Sequence, residues 1–221
     1  MYFCGFSMPQ TTFITLRQEW QDAWQVPLYR RRVIAGLIIV VSILSSFPVF
    51  FQHIERRHGV QLNDPILAML APHNVSLPLF IVIWAISGYS LYRAAQTPQM
   101  FLNFLWSFIL LSLFRTLTIT LIPLDPPAGL IPLVDPLSNF FYGDKFVTKD
   151  LFFSGHTSTV FLLFLIIPGR SDKKLALLAT FIVATLLLVQ HVHYSLDVLG
   201  GFLFSWLSYW IATRWILRRD A

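Results

Sequence analysis

Six apolar stretches, roughly 33–52, 76–94, 100–123, 152–168, 175–192 and 197–217, follow one another with few charges inside them. Each is long enough, or nearly so, to cross the hydrocarbon core of a bilayer as a helix, which takes about 20 residues. In lipid every backbone N–H and C=O must be satisfied within its own segment, so such spans fold as helices. The pattern predicts an all-α integral membrane protein built as a bundle of six transmembrane helices. Composition agrees, because only 12% of the residues are charged and 56% are hydrophobic, whereas a soluble domain carries about 25% charged residues. The fourth stretch is the shortest, and its start is expected to reach back into the polar motif that precedes it. Pro48 and Pro78 fall near span ends, where water or neighbouring helices can satisfy the backbone.

Two parts are expected: a segment 1–29 and a six-span membrane domain over 30–221. In the first, Phe13, Leu16, Trp20 and Trp24 recur at helical spacing, with Arg17, Gln18, Gln21 and Asp22 between them. That suits a short amphipathic helix in the membrane interface, with a loosely ordered tail as the alternative. The first long apolar run begins only after Arg30, Arg31 and Arg32, so no cleavable signal peptide is expected. Cys4 is the sole cysteine, which rules out an intramolecular disulfide and a cysteine metal site. The net charge of +5 resides in basic residues beside apolar runs. That is the pattern of topology-setting charge rather than of a nucleic-acid face.

With six spans, both termini share one side. That side collects eleven basic residues, Arg17, Arg30, Arg31, Arg32, Arg93, Arg170, Lys173, Lys174, Arg214, Arg218 and Arg219, against four on the other, Arg56, Arg57, Lys145 and Lys149. Basic residues favour the cytoplasmic side, so the termini are expected there. The joins 53–75, 124–151 and 191–196 then face the exterior, periplasm or lumen. Loop 124–151 is long for a helical bundle and is broken by Pro126, Pro127, Gly129, Pro132, Pro136 and Gly143. It leads directly into Ser154-Gly155-His156, which suits a lid or wall over a site.

Chemistry concentrates in two motifs on that face. His193 and Asp197 are spaced i, i+4, which places them on one helix face. A carboxylate bonded to one imidazole nitrogen fixes the tautomer and leaves the other nitrogen as a nucleophile; the alternative is a capping Asp beside an interfacial His. Ser154, Gly155, His156 and Thr157 form a small turn opening a helix, whose N–H groups suit an anion, and His156 there could hand a proton to a departing oxygen. Arg115 lies inside the third apolar stretch, about two turns before Pro123. A guanidinium at that depth is expensive, and bidentate phosphate recognition is its natural use; the alternative is a structural pairing with Asp64 or Asp197. Lys149 could hold a phosphate oxygen. Asp64, in the turn Asn63-Asp64-Pro65, and Asp150 are secondary candidates, while Asp144 and Lys145 read as loop charges and His191 as structural.

The runs Asp150-Leu151-Phe152-Phe153-Ser154-Gly155-His156-Thr157 and His193-Tyr194-Ser195-Leu196-Asp197-Val198 resemble the third and fourth signature motifs of the sphingomyelin synthases, within the type 2 phosphatidic acid phosphatase superfamily. The stretch from Arg115 to Pro123 is more loosely similar to the second motif, and Asn63-Asp64-Pro65 faintly to the first. The resemblance implies six helices with an exoplasmic site, His193 as the nucleophile of a phosphohistidine, Asp197 as its partner and His156 as the acid for the leaving alcohol, with no metal and no cofactor. Leu187 stands where the classical lipid phosphatases carry an arginine, no Lys-x6-Arg-Pro motif occurs, and Thr148-Lys149 replaces the usual Cys-Gly.

The residues and the resemblance together lead to the expectation of a membrane lipid head-group phosphotransferase. Its partners would be a phospholipid donor, a lipid alcohol acceptor (ceramide or diacylglycerol) or water, and the bilayer, with a homo-oligomer left open. A lipid phosphate or pyrophosphate phosphatase is the alternative within enzymes. A non-catalytic lipid-binding membrane protein is the alternative outside them.

Overall fold

The computed structural model describes residues 10–133 and 147–218, with side chains from Leu16 onward. Phe13 as a side chain, and Asp144 and Lys145 altogether, lie outside the described residues. Among the described residues there are seven α-helices: α1 (Gln10–Gln25), α2 (Pro27–Glu55), α3 (Ser76–Gln96), α4 (Pro98–Leu121), α5 (Gly155–Ile166), α6 (Arg170–Val189) and α7 (Ser195–Ile211). A single π turn, Ala212–Ile216, extends α7. No strand occurs among the described residues.

Local chemistry sets these boundaries. Pro27 and Pro98 occupy the first turns of α2 and α4, where a missing N–H costs nothing. Only Thr97 separates α3 from α4, so the two form a tight antiparallel pair. Asn74 Oδ1 accepts from Ser76 N at 3.1 Å to start α3. Pro168 and Gly169 (φ 90°) stop α5, and Lys173 Nζ donates to the carbonyls of Phe164 and Leu165 at 3.1 and 3.0 Å. Those carbonyls have no partner within their own helix, and an ammonium there also suits the helix dipole.

Among the described residues four helices are long and apolar enough to cross a membrane: α2, α3, α4 and α7 with its π turn. Six were expected. Residues 150–154 are taken up by the motif turn and Pro168 ends the run, so the stretch 152–168 yields a helix of only 12 residues. α6 has 20 residues but opens on Arg170, Asp172, Lys173 and Lys174. Length and apolarity alone therefore mark four spans.

α5 sits in the middle, packed on α3, α4, α6 and α7. Its Val160, Leu162 and Ile166 join Leu79, Leu111, Val183 and Leu187 in the main apolar core. A second cluster at one end of the bundle gathers Tyr29, Val33, Leu102 and Leu217. The opposite end carries the joins 56–75, 122–133 and 190–194, which are bonded to one another. Val60 and Leu124 pair as a parallel bridge, and Arg57 donates to the carbonyls of Ile119 and Thr120 at 2.7 and 2.9 Å. Gly59 is required there, because a Cβ would lie 2.4 Å from the Leu124 carbonyl carbon.

Candidate active site

Residues 148–154 cross the ends of α2, α4 and α7, bending at Phe152 (φ 48°), and nearly every residue is tied down. Glu55, the last residue of α2, accepts from Thr148 N and Lys149 N, each at 3.1 Å, and from the Thr148 hydroxyl. Asp150 pairs with Arg115 of α4. Phe152 N donates to Asp197 Oδ1 at 3.2 Å, and Thr118 Oγ1 donates to the Phe152 carbonyl at 2.9 Å. Arg115 Nη1 donates to the Phe153 carbonyl at 3.2 Å, and Ser154 N donates to the Asp197 carbonyl at 3.0 Å. The motif turn is thereby fixed before α5 begins.

Ser154 caps α5, its Oγ accepting from Thr157 N at 3.3 Å. The capping role of small hydroxyl residues explains the helix start. Gly155 follows because the Arg115 guanidinium rests on its Cα: a Cβ there would stand 2.0 Å from Arg115 Nη1. Gly200 serves the same purpose from α7, where a Cβ would meet Phe153 Cβ at 2.9 Å.

The second motif opens α7. Asp197 is fully buried, and its Oδ2 accepts from Tyr194 N at 3.1 Å while lying 3.3 Å from His193 Nδ1. Capping and orienting, weighed as alternatives from the sequence, are done by one carboxylate. With Nδ1–H donating to Asp197, the lone pair of His193 resides on Nε2. His191 (φ 54°) turns away and places its two ring nitrogens 2.8 and 3.0 Å from the carbonyls of Ala128 and Leu70.

A cavity of about 320 Å³ joins these parts. Arg115, Asp150, Gly155, His156 and His193 line its polar end, and Phe47, Phe51, Phe80, Ile83, Phe108 and Leu111 line its apolar body. The His156 ring also meets Phe80 edge to face at 6.2 Å. Leu133, Val147 and Thr148 contribute from the long loop; residues 134–146, and with them most of the expected lid, lie outside the described residues. Among the described residues no group of three or more His, Cys, Asp and Glu is placed to hold a metal ion.

Several placements differ from the sequence reading. Arg115 is paired, but with Asp150 rather than with Asp64 or Asp197. Lys149 points away from the cavity, its ammonium 2.8 Å from Asp125 Oδ1 and bonded to the Arg57 carbonyl. That ammonium holds the Asp125 carboxyl below the usual carboxylate range. Ser154 is fully buried as a cap and does not line the cavity. Asp64 accepts from Ser195 N at 2.6 Å and Ser195 Oγ at 2.8 Å, and so straps the first join onto α7. Burial alone would raise the Asp64 carboxyl, but the hydrogen bonds from Ser195, Leu67 and Ile66 outweigh it and hold Asp64 below its ordinary value. Glu55, Thr118 and Tyr194 went unnoticed in the sequence as site supports. Tyr194 OH donates to the Asp125 carbonyl at 2.8 Å and accepts from Leu62 N at 3.1 Å.

Residues 149–214 match the family model described as PAP2 superfamily C-terminal. The match contains both histidine motifs and leaves Arg115 outside it. It supports the type 2 phosphatidic acid phosphatase superfamily, and with it a lipid phosphatase or phosphotransferase type of activity in a multi-pass membrane setting, without singling out the sphingomyelin synthases. No curated protein and no solved structure matches the chain.

Proposed function

We propose that this protein is a membrane lipid head-group phosphotransferase of the sphingomyelin-synthase-like type, working through a phosphohistidine. The observation that carries the reading is the meeting of His193, His156 and Arg115 at one end of a cavity with an apolar body, His193 being held by buried Asp197. Arg115 orients the phosphodiester. His193 Nε2 attacks phosphorus, and the bond to the glycerol oxygen breaks as His156 supplies the proton to that oxygen, releasing diacylglycerol. His156, now neutral, takes the proton of an incoming lipid alcohol, whose oxygen attacks the phosphohistidine and frees His193. Asp197 steadies the imidazole throughout.

The charge of the site favours a diester over a monoester. Among the described residues Arg115 is the only Lys or Arg that lines the cavity, and it is shared with Asp150. One shared cation suits the single negative charge of a phosphodiester better than a phosphomonoester dianion, so the phosphatase is the second reading. In the proposed topology α5 and α6 complete six spans, α1 lies in the cytoplasmic interface with the termini, and the cavity opens toward the exoplasmic side.

The test uses purified full-length protein in mixed micelles with a phospholipid labelled in its head group, with and without ceramide or diacylglycerol, for wild type and His193→Ala. Label entering a new lipid in wild type only is the expected result. Water-soluble phospho-alcohol would mean a phosphodiesterase, and inorganic phosphate from a phosphomonoester would establish the phosphatase. No label movement with any common head group would sink the enzymatic reading.

A further inference from the structure

Below the polar end, the cavity wall carries three hydroxyls with no bonding partner among the described residues: Ser112 of α4, Thr159 of α5 and Ser87 of α3. Other hydroxyls of the bundle turn back onto their own backbone, as Ser42 of α2, Thr116 of α4, Thr180 of α6 and Ser205 of α7 do at 2.6 to 3.0 Å. Ser112 is only 2% exposed yet lines the cavity. An unpartnered hydroxyl at a cavity wall gains a hydrogen bond when a ligand brings it an acceptor.

The register of these residues is regular. Ser112 stands three residues before Arg115 on α4, and Thr159 stands three residues after His156 on α5. The two helices run in opposite directions, α4 ending and α5 beginning at the site end, so each hydroxyl lies on the same helix face as its polar-end residue and deeper by about 4.5 Å of axial rise. A lipid whose phosphate rests between Arg115 and the histidines places its acyl linkage, a few bonds further along, at that depth. A linkage carbonyl offers two lone pairs and no donor, which matches hydroxyls as donors.

We propose that Ser112 and Thr159, with Ser87 beside them, form a subsite that reads the carbonyl of the ester or amide joining head and acyl chain. This rests on the lipid head-group reading of the site. The subsite binds by hydrogen bonding alone and adds no chemical step. It makes the protein discriminate between lipids of identical head group according to how their chains are attached.

The experiment measures binding in the His193→Ala background, where lipid is not consumed. A diester phosphatidylcholine and its diether analogue, which lacks both carbonyls, compete with a fluorescent lipid for full-length protein in detergent. The diester is expected to bind about tenfold more tightly, as two hydrogen bonds of ordinary strength would give. Adding Ser112→Ala and Thr159→Val should reduce the preference to less than about twofold, while Ser112→Thr with Thr159→Ser, which keep the hydroxyls, should retain it; a melting temperature for each variant shows that it is folded. Equal binding of diester and diether before those changes, or a preference that survives the Ala/Val pair, overturns the subsite. Loss of label transfer in wild type, with the diester preference intact, would instead remove the transferase reading and leave the subsite standing.

Discussion

The two ends of the bundle are held together by different physics. At the end opposite the site, α2, α4 and the residue after the π turn meet through Tyr29, Val33, Leu102 and Leu217, and the directional bonds there are separate ones, such as Tyr29 OH to the Pro98 carbonyl at 3.0 Å, Trp20 Nε1 to the Ala95 carbonyl at 2.7 Å and Arg93 to Asp172 at 3.1 Å. At the site end, apolar packing is supplemented by a dense mesh: Asp64 to Ser195, Glu55 to residues 148 and 149, Asp197 to both motifs, and Tyr194 and His191 to the loops above. Apolar contact is tolerant of small displacements, whereas hydrogen bonds fix position to fractions of an ångström. On the proposed function the mesh is found where a phosphate would be met by several groups at once, whereas the other end has only to cohere.

The contrast can be broken most severely at Asp197. Asp197→Asn keeps the volume but offers a donor where three groups need acceptors, so turnover should fall by roughly 10⁴-fold, as loss of the tautomer-fixing carboxylate does elsewhere. It should also lower stability by about 1–3 kcal/mol; an unchanged melting temperature would show that the mesh is not structural. Next comes Gly155→Ala, whose new Cβ must expel the Arg115 guanidinium. A loss of kcat/KM on the order of 10²-fold is expected with little change in melting temperature, and Arg115→Lys should raise KM because a point charge cannot replace a planar fork.

At the other end the comparison predicts the reverse. Leu102→Ala should cost about 2–5 kcal/mol through lost burial and a cavity, yet leave kcat/KM of the surviving folded protein within about twofold. A large kinetic effect would mean that the ends are coupled. The smallest effect concerns pH. Asp64 is held below its ordinary value, so its contribution is present above the unfolded pKa near 3.9 and lost as pH falls through the lower folded value. The melting-temperature gap between wild type and Asp64→Asn should therefore be constant near neutrality and close below about pH 4.

Apolar run length was enough to foresee an all-helical bundle, being a local property, but not which of the six runs are long enough to cross, because the motif turn and Pro168 shorten the fourth. The pairing of His193 with Asp197 was equally legible, being a spacing within one helix turn. The partner of Arg115 was not. Asp150 lies 35 residues away along the chain, and which of Lys149 and Asp150 faces the cavity depends on how 148–154 is laid across the helix ends, a non-local property. That path sends Lys149 to Asp125 and Asp150 to Arg115. The cavity hydroxyls gave no signal either, since a serine in an apolar helix looks the same whether it bonds backward or waits for a ligand.

The brevity of α5 has a bearing on where the reaction happens relative to the lipid surface. Its 12 residues reach about 18 Å, while the hydrocarbon layer is about 30 Å thick. In the proposed topology, with the charged turn at Arg170, Lys173 and Lys174 at one surface, the start of α5 and the His156 beside it would lie about 12 Å below the other. On the proposed function a phospholipid would have to sink out of the plane of its neighbours to react, and a phosphorylated histidine would form where water is scarce. Depth of this kind tilts the competition for that intermediate toward an alcohol that arrives by lateral diffusion within the membrane.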